Sequence, residues 1–297
     1  MLSSWEVLQF ISRWGLYLSI SGTVGGIGSM LLLRQCATEL TTKIERYIWL
    51  SSAAGFVLNL LYFWAYIGGA LDASFQQSFD SEMATFLLST PVGSFFKYGA
   101  LGYGGIFILL SLSRTYPISI SLWRSYLGII SLVFLSVWIV LGFAQIGHSV
   151  SQHWLISLTL VLHILVASWW VGSLLPLIWL CNSESIANTK SALEQFGKVA
   201  AIPVILLLVC GTLMAITYMQ GNSWFRFDYG QFLLVKVTIV LMLLLLAFHH
   251  KIHRVPAIKN LSTLVKMRIS IYVELAVCLI IFLLTAYLST FIGPPGH

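Results

Sequence analysis

The sequence predicts an all-α protein, a polytopic membrane helix bundle that crosses a bilayer about eight times as one integral domain over residues 1–297. Three observations predict it. Hydrophobic residues make up 58% of the chain and charged residues 9%, whereas a soluble domain carries roughly 25% charged residues. A charged surface around one core cannot be built from so few, so lipid is the main solvent. Apolar runs long enough to span, about 20 residues each, recur along the whole chain. Lys and Arg collect in alternate connections between those runs, the pattern of membrane topology.

The spans fall at roughly 7–33, 45–70, 91–113, 123–146, 154–181, 196–220, 229–250 and 268–292. The first apolar run begins near Val7 and is too long for the core of a cleaved signal, so it reads as a span. It carries Gly22, Gly25, Gly26 and Gly28 in the run GTVGGIG. That run lacks the strand–loop–helix setting and the Lys-Ser/Thr of a phosphate loop, and small residues of this kind let membrane helices approach closely. Gly99, Gly102, Gly104 and Gly105 repeat the device in the third span. Close packing within one chain and between two copies both fit, which leaves a homo-oligomer open. The longest connection, about Leu71 to Thr90, is the place for an ordered external loop.

Twelve of the 16 Lys and Arg residues, from Arg34 to Arg268, lie on one side. That side is expected to be cytoplasmic, and both termini then face the periplasm. The loops holding Asp72, Asp80, Glu82, His148 and His153 face outward with them. The net charge of +6 therefore reports topology and points to no nucleic-acid partner. Cys36, Cys181, Cys210 and Cys278 form no CxxC pair and read as packing residues. No Walker motif is present, so ATP hydrolysis is not expected, and nothing marks a soluble enzyme.

Ionisable residues inside spans are costly and each is a functional candidate. Arg13, Lys97 and Lys236 sit about five to eight residues inside the outer ends of their helices, a depth of roughly 8–12 Å. They either snorkel to the headgroups or form a basic collar for an anion. Glu274 lies near the inner end of the last span, about 12 Å or more from the depth of Lys236. Its expected partner is His249 or His250. Six of the seven histidines form two groups, His148, His153 and His163 around the fifth span, and His249, His250 and His253 at the inner end of the seventh. His163 is about ten residues into its helix, near the midplane. In the sixth span Cys210 and Met214 share a face, and Met219 lies nearer the outer surface. Imidazole, thiol and thioether donors suit Cu(I), although single Met and Cys residues more often fill a core.

The second half of the chain, about 140–297, carries motifs in a recognisable order. These are GHS at 147–149, LHILVASWWVGSLLPL at 162–177, YGQFLLVKVTIVLMLLLLAFHHKIHRVP at 229–256, Glu274 within RISIYVELAV, and PP at 294–295. In this order they resemble the copper resistance protein D (CopD/PcoD) family. Two departures stand out. Ser173 replaces the family's second glycine after the tryptophan, and His249-His250-Lys251 stands where Asn-Arg is usual.

The resemblance implies copper transport or homeostasis at the bacterial inner (cytoplasmic) membrane, in a direction left undetermined, often beside a periplasmic copper-binding protein. His148 and His163 match motif positions as metal ligands, and His153 joins by proximity. A path would then run from His148, His153 and Met219 past His163 and Met214 to His249, His250 and His253. Two alternatives stand beside it. One is a b-type haem protein, for electron transfer or oxidoreduction, with His148 and His163 as axial ligands and Arg13, Lys97 and Lys236 on the propionates. Its LH…W pattern resembles, more distantly, the HemJ-type protoporphyrinogen oxidases. The other is a membrane scaffold for a periplasmic copper carrier.

Overall fold

A computed structural model describes residues 3–33, 38–72, 74–115, 126–146, 154–219, 225 and 227–292. Among them there is no strand. Helix α1 is Ser4–Leu32, α2 Thr38–Ala70, α3 Ser81–Leu88 and α4 Pro91–Thr115. Then come α5 Tyr126–Phe143, α6 Trp154–Ser183, α7 Ile186–Val199 and α8 Ala201–Met219. Last are α9 Asp228–His249, a π-helical turn His250–Arg254, and α10 Leu261–Phe291. Seven described helical stretches are long and apolar enough to cross a bilayer, α7 and α8 counting as the single stretch Ile186–Met219. The shorter apolar helix Leu127–Phe143 occupies the remaining predicted span. The order of spans is the one the hydropathy predicts.

The ends of the helices are fixed by ordinary caps. Ser3 and Glu6 close a reciprocal capping box at the start of α1, satisfying two otherwise unpaired N–H groups. Asn260 and Thr263 do the same for α10. The 71–90 connection holds α3, which Asp80 starts by accepting from the Met83 N–H at 2.6 Å. The ring of Trp64 anchors this connection through Phe75 and Phe79, with centroids at 5.3 and 5.4 Å.

Helix α1 is the axis of the bundle and packs against α2, α5, α6 and α10. Other residues shield 67% of its span window, against 6% for the window in Asp228–Arg254, so α9 is peripheral and packs on α10. Lipid is as apolar as a side-chain core, so contact between such helices depends on close fit. Glycine supplies it where α1 crosses α6. A Cβ on Gly25 would stand 2.2 Å from the Gly172 carbonyl carbon, and one on Gly172 would stand 1.7 Å from the Ser21 carbonyl oxygen. Gly26 and Gly28 accept Ile48 of α2 and Trp169 of α6 in the same way. These first-span glycines pack within one chain. Ser173, the departure noted above, donates to the Trp169 carbonyl at 2.7 Å and reaches the Gly25 carbonyl at 3.3 Å. Its hydroxyl therefore bridges the two helices at their closest approach.

The two ends of the bundle differ in character. At one end α1 begins where α2 and α10 finish, with Trp5 edge-on to Trp64 at 5.3 Å and Phe10 against Phe291 at 5.5 Å. At the other end basic side chains hold loop and helix oxygens. Lys190 donates to the Pro256 carbonyl at 3.2 Å, Arg254 to the Lys266 carbonyl at 3.2 Å, and Arg268 to the Asn182 side chain.

Candidate functional site

The first group of polar side chains lies where α6 meets α8. Leu207, Cys210 and Met214 are the buried residues along α8 there, and their spacing of three and four residues puts them on one face. Gly211 lies beside that face, and a Cβ on it would stand 3.3 Å from His163 Cε1 and 3.6 Å from Nδ1. The missing side chain makes room for the His163 ring. His163 Nδ1 is buried and makes no well-formed hydrogen bond among the described residues, and the ring interacts loosely with the Leu207 backbone of α8. A buried polar atom left unpaired is costly and calls for an explanation. Met219, at the end of α8, is buried too. The sequence-predicted His163 and Met214 therefore lie along the same α6–α8 contact.

The second group lies where α9 gives way to the π-helical turn. His249 and His253 are exposed, with ring centroids 5.1 Å apart. His250, between them, turns inward. Its Nδ1 is 3.0 Å from Glu274 Oε2, and its Nε2 is 2.6 Å from Ser270 Oγ. The three residues are only 5%, 3% and 7% exposed. Glu274 thus pairs with one of the two histidines that its depth had offered. Ser270 and Glu274 are four residues apart on α10 and share a face. The Val255 N–H reaches back five residues to the His250 carbonyl at 2.9 Å, which widens the turn. Single π turns of this kind concentrate at functional sites.

The remaining cations are dispersed. Arg13 is buried, donates to the Ser289 carbonyl of α10, and lies 5.6 Å from the Tyr62 ring centre of α2. It is held inside the bundle. Lys97 is exposed and donates to the Leu88 carbonyl at 2.8 Å, on the last turn of α3, where a cation complements the helix dipole. Lys236 is partly buried on α9. Arg13 and Lys97 are thus held by different elements. His148 and His153 lie outside the described residues. Among the described residues no three or more His, Cys, Asp or Glu are grouped to hold a metal ion.

Sequence reasoning missed Ser270 and Gly211. Ser270 had one available signal, its position one turn before the intramembrane Glu274. Gly211 had none, because a glycine in an apolar helix does not reveal its neighbour.

The fold and these polar groups define a multi-pass, all-α membrane protein. Residues 190–288 match the model of the family described as Copper resistance protein D. By that region, about a third of its length, the chain is similar to the copper resistance protein D family. The match takes in α8 from Cys210 to Met219 and the whole His250–Ser270–Glu274 group, and it begins after the segment that carries His163. No curated protein and no solved structure matches the chain.

Proposed function

We propose that the protein carries copper across the bacterial inner membrane, with the contact between α6 and α8 as its route. The supporting observation is the buried Nδ1 of His163, without a well-formed hydrogen bond, beside a helix face bearing Cys210 and Met214. Imidazole, thiol and thioether together select a soft monovalent copper ion. The match of residues 190–288 to the family described as Copper resistance protein D supports copper as the cargo.

In this reading the Lys/Arg-rich end is cytoplasmic. His148, His153 and Met219 receive copper at the periplasmic mouth, from a periplasmic copper-binding protein where one is present. His163 and Met214 pass it through the midplane. The exposed pair His249 and His253 meets it at the cytoplasmic end. His250 takes no part as a ligand, because both of its ring nitrogens are engaged.

The test is copper accumulation in proteoliposomes. Wild-type protein should load the vesicles with time, and His163→Ala should cut the initial rate at least tenfold while the purified variant keeps its size-exclusion profile. An unchanged rate would take His163 off the route. No accumulation by the wild type in either imposed direction would end the transport reading.

A further inference from the structure

We propose that the Lys/Arg-rich end of the bundle holds an anionic phospholipid, its headgroup on Lys198, Lys251, Lys259 and Lys266 and its acyl chains along α8 and α9. The inference is independent of the copper reading, which leaves these four lysines without a role.

Charge is unevenly spread over this end. Around the start of α2 and the end of α4, three described cations, Lys43, Arg46 and Arg114, meet two carboxylates, Glu39 and Glu45. Lys43 pairs with Glu39 at 2.7 Å, and Arg114 lies over the Trp49 ring at 4.7 Å. That side is nearly neutral. Along α7, the π-helical turn and the first turns of α10, seven Lys and Arg residues are balanced by Glu184 and Glu194 alone. Three of the seven, Lys190, Arg254 and Arg268, donate to neutral oxygens, which fixes the side chains and leaves the charge. The other four, Lys198, Lys251, Lys259 and Lys266, are exposed, and among the described residues their ammonium groups have no acceptor. Membrane topology gathers cations at one end of a bundle. It does not gather them on one side of that end.

Contacts join the lysines into one surface. A Cβ on Gly197, next to Lys198, would stand 3.6 Å from Lys251 Cγ. Lys190 ties α7 to Pro256, just past the π-helical turn, and Arg254 ties that turn to Lys266, each at 3.2 Å. Like charges so gathered repel one another, and a ligand that brings negative charge relieves them.

The surroundings select a lipid as that ligand. Helix α8 packs on α6 and α9 packs on α10, and these consecutive spans are not packed on each other. Exposed apolar side chains continue from the basic surface into the membrane, Ile202 and Ile205 on α8 and Leu245 and Phe248 on α9. Val199, Ile252 and Leu261 are exposed among the lysines themselves. A soluble anion would leave these side chains in water. A phospholipid covers them with its chains while its phosphate meets the ammonium groups, as anionic headgroups do in basic pockets between spans.

The experiment uses the purified full chain in mild detergent with added phosphatidylglycerol or phosphatidylcholine, followed by native mass spectrometry and thermal melting. Phosphatidylglycerol should stay bound and raise the melting midpoint by several degrees, and phosphatidylcholine should do neither. One lysine near an anionic headgroup is worth roughly fivefold in binding, so Lys198→Gln combined with Lys251→Gln should weaken phosphatidylglycerol binding at least tenfold. Lys43→Gln, on the neutral side, should leave binding unchanged. All three lysines are exposed, and an unaltered size-exclusion profile shows that each variant folds. Equal responses to the two lipids, or a loss after Lys43→Gln as large as after the double substitution, overturns the site. Stabilisation by inorganic phosphate or polyglutamate as great as by the lipid overturns the choice of a lipid.

Discussion

Replacing Gly172 with alanine tests the structure at its tightest point. The added Cβ would stand 1.7 Å from the Ser21 carbonyl oxygen and 2.4 Å from the carbonyl carbon. Non-bonded heavy atoms rest about 3.5 Å apart, so α1 and α6 must separate by about 2 Å. Both obstacles are backbone, and no rotamer change relieves them. An extra methylene in a packed core costs about 1–3 kcal/mol even when side chains can yield, so about 3 kcal/mol is the expectation here. The Ser173 bridge to the Gly25 carbonyl, already 3.3 Å long, would break as well. For a chain of this size the melting midpoint in detergent should fall by about 6–10 °C. Gly197→Ala is the matched control. Its nearest new neighbour is Lys251 Cγ of the π-helical turn at 3.6 Å, an ordinary contact. Removing a helical glycine there should raise stability by about 0.5–1 kcal/mol. If Gly172→Ala melts within a degree of the wild type, α1 and α6 do not cross as described.

Three further substitutions probe the polar groups. Gly211→Ala places a Cβ 3.3 Å from His163 Cε1, so the ring must yield by a few tenths of an ångström. Copper uptake in proteoliposomes should fall severalfold with the melting midpoint unchanged. Lys97→Met removes the cation from the last turn of α3, which should cost about 0.3–1 kcal/mol in thermal melting and leave copper uptake intact. His249→Ala removes one of two exposed imidazoles whose centroids are 5.1 Å apart. Copper affinity measured by competition with a chromogenic chelator should drop at least tenfold, and His253→Ala should have the same effect.

What the sequence reveals and what it hides have one physical cause. A span is recognised by length and composition alone, so the helices stand where hydropathy puts them. The direction each helix faces is another matter. Lipid and protein core are equally apolar, so the amphipathic stripe that orients a soluble helix is absent. Hence neither α1, enclosed by its neighbours, nor α9, left largely uncovered by other helices, carries a stripe that says which way each face points. Arg13 shows the consequence. Its depth is readable, but its burial against Tyr62 and the Ser289 carbonyl depends on neighbours that hydropathy does not name. Glycines announce close contact without naming the partner, and Gly25 with Gly172 is a pairing only the fold supplies.

Glu274 was legible for the opposite reason. A charge inside a bilayer must find a partner at its own depth, and the histidines at the end of α9 were the candidates at hand. The choice of His250 over His249 was not legible, because the π-helical turn leaves no mark in composition. That choice buries one histidine against Glu274 and Ser270 and leaves its neighbour His249 exposed. Helix α6 packs against α8, which bears Cys210 and Met214, and against α10, which bears Ser270 and Glu274. Helix α6 is thus the element common to both polar groups, and its glycine crossing with α1 sets where it lies between them.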